Sequence, residues 1–238
     1  MVKTILVLAG GFGSRLKSVV SNVPKPLAPV CGKPFLMHLI ENLVLQGAKD
    51  FVLLLYYEAE QVQAMVSKFS GYFSENGVTI KSIVETQALG TGGSIVNAIQ
   101  TLKIKDSFLV VNADTWLGDG LVQLNYSPLN SLAAIKVQDC SRYGALILED
   151  GKVKNFLEKE LSGNSGLINA GLYHLSPNLF EGFVGKGSFS LEGDVFSKLV
   201  GNGMISAVEI EADFIDIGIP EDYLNFCKWM ESGKEIEL

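Results

Sequence analysis

Residues 5–26 read "ILVLAGGFGSRLKSVVSNVPKP". The opening apolar run has the composition of a buried strand, and the three glycines that follow it end any regular element. In a parallel sheet, ligands bind outside the carboxyl ends of the strands, and this loop stands at such an end. Gly10, Gly11 and Gly13 allow the backbone to approach an anion and to aim N–H groups at it, with Leu8, Ala9 and Ser14 as neighbours in the same wall. Arg15 adds a planar fork of donors suited to phosphate oxygens. Lys25, between Pro24 and Pro26, adds a point charge on a restricted backbone. The loop is not a dinucleotide fingerprint, because Leu16 stands where a third glycine belongs and no acidic residue follows about 20 positions on. It is not a P-loop either, since no Gly-Lys-Ser/Thr follows.

The distribution of charge supports an anionic ligand of small size. The 238-residue chain has a net charge of −7, yet its first 40 residues hold Lys3, Arg15, Lys17, Lys25 and Lys33 and no acid. The other 198 residues carry all 26 acids against 14 bases. A positive segment on an acidic body suits a compact polyanion such as a nucleoside triphosphate, whereas nucleic acid would be repelled by the remainder. Hydrophobic residues make up 47% of the chain, enough for a substantial core. No apolar run approaches the length of a bilayer span, and "ILVLA" is too short for a signal peptide, so the expectation is a cytoplasmic protein without a membrane partner. Cys31, Cys140 and Cys227 have no metal-type or C-x-x-C spacing and are expected as reduced structural thiols. His38 and His174 are expected as packed or surface residues, which leaves a His metal site or a Ser-His triad without support.

Periodicity alternates along the first half. "TILVLA", "DFVLLLYY", "VTIKSIVE" and "DSFLVVNAD" read as strands, and "PFLMHLIENLVLQG", "EAEQVQAMVSKFSGYF" and "TGGSIVNAIQTL" as helices between them. This pattern predicts a mostly parallel sheet covered by helices on both faces, a three-layer Rossmann-like α/β arrangement. After Asp114 the signals become strand-rich ("SLAAIKV", "YGALILE", "KVKNFLE", "GLINAGLYHL"), which predicts a small lobe of extra strands at the sheet edge. "LEGDVFSKLVG" and "PEDYLNFCKWME" read as late helices around the short strands "ISAVEIEA" and "FIDIG". The expectation is one domain over 1–238, with a nucleotide-binding half to about residue 115 and a sugar-phosphate half from about 116.

"LAGGFGSRL" followed by "PKPLAPVCGKP" resembles the signature of the sugar-1-phosphate nucleotidyltransferases, G-G-x-G-x-R-L with a later P-K-P and G-x-P. The resemblance implies a GT-A-like fold and transfer of a nucleoside monophosphate to a sugar 1-phosphate with release of pyrophosphate. "KSVV" stands where many members have Pro-Leu-Thr. The likeness runs from Lys3 to about Trp229, which leaves no length for an appended β-helix or acetyltransferase domain. Within the family, "ALGTGG" and "FIDIGIPEDY" look most like the guanylyltransferases that act on D-glycero-α-D-manno-heptose 1-phosphate.

The resemblance also assigns the later motifs. "ETQALGTGGS" is similar to the base-reading segment, with Gly90 and Thr91 against the base, Glu85 reading its edge, and Asn112 on the nucleotide side. A carboxylate only accepts hydrogen bonds, and guanine offers two adjacent donors, so Glu85 favours GTP over the mixed edges of the other bases. Asp114, after the strand "VVNA", and Asp216, in "FIDIG", would hold Mg²⁺ with phosphate oxygens and water. Ile219 replaces a threonine common in the family. Glu158 and Lys159 would hold sugar hydroxyls and phosphate, with Tyr143, Gly144, Asn169, Ala170, Gly171 and Glu192 around the sugar, and Arg142 and Asp194 nearby. Arg15, Lys25 and Asp114 would carry catalysis by placing and neutralising phosphates, with no general base. Three alternatives stay open: a mannose 1-phosphate guanylyltransferase, a uridylyl-, thymidylyl- or cytidylyltransferase, and a non-catalytic nucleotide-sugar sensor. The residues leave the oligomeric state unfixed, with a homodimer open.

Overall fold

A computed structural model describes residues 1–21, 23–157, 164–200 and 202–233. Along the chain, β1 (Ile5–Leu8) leads into the glycine loop, then β2 (Pro29–Val30), β3 (Lys33–Pro34), α1 (Phe35–Leu45) and β4 (Asp50–Leu55). Next come α2 (Ala59–Lys68), α3 (Ser70–Glu75), β5 (Thr79–Val84), α4 (Gly90–Leu102), β6 (Phe108–Asn112) and β7 (Thr115–Leu117). The remainder is α5 (Leu121–Asn125), β8 (Ser131–Val137), β9 (Leu146–Glu149), β10 (Lys152–Phe156), β11 (Gly166–Leu175), α6 (Ser197–Val200), β12 (Ser206–Ile210), β13 (Phe214–Asp216) and α7 (Pro220–Ser232). The strands form a mixed parallel and antiparallel sheet flanked by helices, as the alternating pattern predicts. Among the described residues, no helix is long and apolar enough to cross a membrane.

The residues fall into two compact units that interleave in sequence. The first comprises 1–87, 111–118 and 213–238. Its strands run in the order β5, β4, β1, all parallel, with Ile5 opposite Phe51 and Leu55 opposite Val84. Ile5, Leu6 and Val7 of β1 and Phe51 to Leu55 of β4 are buried on both faces, which explains why these runs show no polar alternation. An aromatic cluster joins α7 to the rest of this unit: Phe226 packs 5.2 Å from Phe35 and 5.4 Å from both Trp116 and Trp229. Tyr223 adds a 2.5 Å hydrogen bond from its hydroxyl to the Pro29 carbonyl. The amphipathic run 58–73 forms two helices instead of the single one its pattern suggests. It breaks at Phe69, where ψ is 14°, ahead of the weak helix formers Ser70 and Gly71.

The second unit comprises 88–110 and 119–212. Its strands run β11, β8, β12, β10, β9; β8 pairs antiparallel with β11 and parallel with β12, and β9 and β10 form a hairpin. The register of β11 on β8 shifts between Asn169 and Tyr173, and Gly171 takes a φ of 70° there, the signature of a bulge. The helical run at 191–200 begins as a π-helix over Leu191–Phe196 before becoming α6. The glycines at the start of α4 pack against the segment that precedes the π-helix. A Cβ on Gly90 would lie 2.5 Å from the Phe189 carbonyl oxygen, and one on Gly92 would lie 2.4 Å from the Phe189 ring. Gly90 also has a φ of 71°. Gly90→Ala is therefore expected to destabilise the protein by about 1–3 kcal/mol in urea unfolding. Gly71→Ala, in α3 with nothing within 4 Å, should instead add about 0.5–1 kcal/mol.

Candidate active site

The glycine loop is held by β4 and by Lys25. Its first residues extend the sheet, with the Ala9 amide donating to Leu54 O (3.0 Å) and the Ala113 amide to Leu8 O (3.2 Å). Gly10 passes close to the next chain, so that a Cβ there would sit 3.3 Å from Tyr56 N and Cβ. Gly13 takes a φ of 58°, and a Cβ on it would lie 2.7 Å from Lys25 Cβ. Gly11 differs from both, because nothing lies within 4 Å of the Cβ it lacks. Packing thus accounts for Gly10 and Gly13, whereas the space at Gly11 is free for a ligand.

The loop walls a cleft of about 310 Å³. Eight residues expected from the sequence line it: Leu8, Ala9, Gly11, Gly13, Ser14, Arg15, Lys25 and Asp114. Phe12, Pro26, Ala113 and Gly218 complete the lining. Sequence reasoning passed over Phe12, although an exposed aromatic between glycines is itself a signal. Its ring meets Tyr56 edge-on at 5.8 Å and Tyr57 at 5.3 Å, and the Lys17 ammonium lies 5.2 Å from the Tyr57 ring centre. Gly10 and Asn112 do not line the cleft; Asn112 closes β6, two residues before Asp114.

Asp114 and Asp216 are brought together by the β7–β13 ribbon, in which Asp216 pairs with Thr115 and the Ile217 amide donates to Asp114 O (2.9 Å). Lys25, only 9% exposed, stands between their carboxylates. Its Nζ donates to Asp114 Oδ2 at 2.6 Å and lies 3.7 Å from Asp216 Oδ1. Burial pushes the Asp216 carboxyl above its ordinary value, and the Asp114 charge adds to this. Lys25, the Gly218 amide and Arg15 pull it back. The Gly218 amide donates to Asp216 Oδ1 at 2.6 Å, and a Cβ on Gly218 would approach that oxygen to 2.8 Å, so glycine is needed there.

The two carboxylates thus face two basic groups, Lys25 and Arg15. Among the described residues, no three His, Cys, Asp or Glu side chains gather where a metal could sit. Two carboxylates beside the basic glycine loop nevertheless fit a hard divalent cation, which would take its remaining ligands from phosphate oxygens and water. Asp114 and Asp216 are the residues that would hold it.

Glu85 directly follows β5 as a buried residue, 8% exposed, with its amide donating to Leu55 O at 2.8 Å. His38 and His174 are buried as well, each with a ring nitrogen near a backbone carbonyl: Nε2 of His38 is 2.9 Å from Val30 O and Nδ1 of His174 is 3.1 Å from Ser127 O. The three cysteines are free thiols.

In the second unit, Asn169, Ala170 and Gly171 form the bulge of β11, and the Asn169 side chain closes it by accepting from the Gly171 amide at 3.0 Å. Gly144, with a φ of 79°, leaves no room for a Cβ, which would lie 2.6 Å from Leu157 O. The Arg142 guanidinium lies over the Tyr143 ring at 5.4 Å. Both carboxylate oxygens of Glu192 accept from hydroxyl groups of the protein. Asp194 accepts from the Ser190 amide at 2.8 Å, as part of the helix start. Glu158 and Lys159 lie outside the described residues.

Residues 4–232 match the family model of the nucleotidyl transferases. The chain belongs to that family. This nucleotidyl transferase is 35% identical over 225 residues, 93% of its own length and 97% of the relative's, to the D-glycero-alpha-D-manno-heptose 1-phosphate guanylyltransferase of Campylobacter jejuni. It is 32% identical to the mannose-1-phosphate guanylyltransferase catalytic subunit beta of Drosophila pseudoobscura, over 97% of this chain and 63% of that one. Among solved structures, HddC from Yersinia pseudotuberculosis complexed with GMP-PN superposes with a TM-score of 0.82 at 37% identity, covering 96% of this chain and 99% of that one.

The two cleft glycines, Gly11 and Gly13, give different expectations. Gly11→Ala should leave unfolding stability within about 0.5 kcal/mol while weakening nucleoside triphosphate binding about tenfold in calorimetric titration, since the added methyl enters only the cleft. Gly13→Ala should lower both, because it also strains φ and displaces Lys25.

Proposed function

We propose that this enzyme transfers GMP from GTP to D-glycero-α-D-manno-heptose 1-phosphate, giving GDP-heptose and pyrophosphate for surface polysaccharide synthesis. The observation that carries the guanine reading is the similarity to guanylyltransferases of two kinds, those of heptose 1-phosphate and of mannose 1-phosphate. Glu85 supports it by its chemistry: a carboxylate only accepts, and the N1–H and N2 amino groups of guanine supply two donors side by side. The heptose reading rests on the Campylobacter relative, which matches over nearly the full length of both chains.

In this reading, Arg15 and the loop amides hold the triphosphate in the cleft, with the open face of Gly11 against its oxygens. Lys25 neutralises the α-phosphate. Asp114 and Asp216 would hold Mg²⁺, which when bound supplies positive charge to the phosphate oxygens. Glu158, Lys159, Asn169, Ala170, Gly171, Tyr143 and Gly144 serve the sugar phosphate. One of its oxygens attacks the α-phosphorus in line, and pyrophosphate leaves. The nucleophile is already an anion, so neither a general base nor a covalent intermediate is required, and catalysis comes from positioning and charge. The burial of both histidines accords with this economy.

The test is Mg²⁺-dependent pyrophosphate release with the heptose phosphate and each of GTP, UTP, dTTP, CTP and ATP, with mannose 1-phosphate as a competing acceptor. Turnover confined to GTP and strongest with heptose supports the proposal; turnover with another nucleotide removes the guanine assignment. Glu85→Gln places an amide donor against guanine donors and should lower kcat/KM for GTP about 10- to 100-fold, with little change in melting temperature.

A further inference from the structure

The side chains around Glu192 form a hydrogen-bonded chain with a single direction. The Gly171 amide donates to Asn169 Oδ1 (3.0 Å), Asn169 Nδ2 donates to the Tyr173 hydroxyl (2.9 Å), and that hydroxyl donates to Glu192 Oε1 (2.9 Å). From the other side, the Leu191 amide donates to Thr91 Oγ1 (2.8 Å), and the Thr91 hydroxyl donates to Glu192 Oε2 (3.3 Å), where Ser190 Oγ also donates (3.3 Å). Every donor in both arms points toward one carboxylate. A group that only accepts is what this polarity needs. Glutamine at 192 would turn an amide donor toward hydroxyls whose protons already point at it.

The two arms end at segments with different tasks. One arm ends at Asn169 to Gly171 in the β11 bulge, the other at Thr91 in the first turn of α4. The hub itself is fixed by its own turn: Ser190 Oγ accepts from the Gly193 amide (3.0 Å), and the Gly92 and Gly93 amides donate to the Phe189 carbonyl (3.0 and 3.3 Å). The π-helix over Leu191–Phe196 is the local irregularity that carries Glu192 in this position, and such segments recur at functional sites. Tyr173 is completely buried, so it cannot touch a substrate.

We propose that Glu192 is a positioning residue serving both substrates at once: through Tyr173 it fixes Asn169 at the sugar segment, and through Thr91 it fixes the first turn of α4 at the nucleotide segment. The proposal rests on the guanylyltransferase reading above. It replaces direct contact of Glu192 with the sugar by support from behind.

Steady-state kinetics of Tyr173→Phe, Thr91→Val and Glu192→Gln, with GTP and D-glycero-α-D-manno-heptose 1-phosphate varied in turn, separate the arms. Tyr173→Phe, the mildest change, should raise KM for the heptose phosphate about tenfold and leave KM for GTP within about twofold. Thr91→Val should do the reverse, and Glu192→Gln should raise both. Melting temperatures are recorded beside them, because loss of structure alone would lower the apparent kcat in every variant without separating the two KM values. That uniform pattern, or wild-type KM values in Tyr173→Phe and Glu192→Gln, overturns the proposal. Failure of the wild-type enzyme to release pyrophosphate from GTP with any sugar 1-phosphate removes the guanylyltransferase reading, and the proposal falls with it. Normal wild-type turnover with unaffected variants removes the proposal alone.

Discussion

The ammonium of Lys25, set between Asp114 and Asp216, is the interaction on which the first unit depends. Three parts of the chain meet there: the Pro-Lys-Pro segment, the strand end after β6, and the β7–β13 ribbon. A cation that is 9% exposed must have partners, and two carboxylates at the same place must have a cation. Each side thus prevents the other from being an isolated buried charge. The glycines of the cradle follow from the same constraint. Gly13 is bare because Lys25 passes against it, and Gly218 is bare because the Asp216 carboxylate folds over it. A divalent cation would find carboxylates here and a triphosphate would find Lys25 and Arg15, so the centre is built for charged ligands and not for apolar ones.

The second unit solves a different problem. Its neutral groups are arranged so that a single carboxylate, Glu192, receives hydroxyls from α4, from β11 and from its own turn. The bulge at Asn169–Tyr173 would otherwise leave backbone groups without ladder partners, and the Asn169 side chain takes up the Gly171 amide. In "GTGG", Gly90 and Gly92 are bare because the carbonyl and ring of Phe189 press against the helix start.

Elements with strong period or continuous apolar content were legible in the sequence. β8 and β11 coincide with "SLAAIKV" and "GLINAGLYHL", and α4 and α7 lie where 3.6-residue spacing puts them. β13 falls within "FIDIG", read as a short strand, but the β2–β3 ribbon and β7 were not legible, because strands of two or three residues are too short to show a period. That omission matters, since β7–β13 is what joins Asp114 to Asp216. The break at Phe69 and the π-helix were hidden for a related reason: helical spacing of apolar residues survives a local change of hydrogen-bond register. Of the cleft, the glycine loop, Arg15, Lys25 and Asp114 were read from motif and charge, whereas the role of Gly13 as clearance for Lys25 needs three dimensions.

The proposed function makes one central demand: Lys25, which pairs with Asp114 and lies near Asp216, would give up these carboxylates to a metal when phosphate draws its ammonium away. Electron paramagnetic resonance titration with Mn²⁺ tests it directly, on wild type and Lys25→Met, with and without GTP. Competition from Lys25 predicts weak Mn²⁺ binding by the wild type alone, tight binding once GTP is present, and at least about tenfold tighter nucleotide-free binding by Lys25→Met. Equal Mn²⁺ affinity of the two proteins without GTP would contradict it.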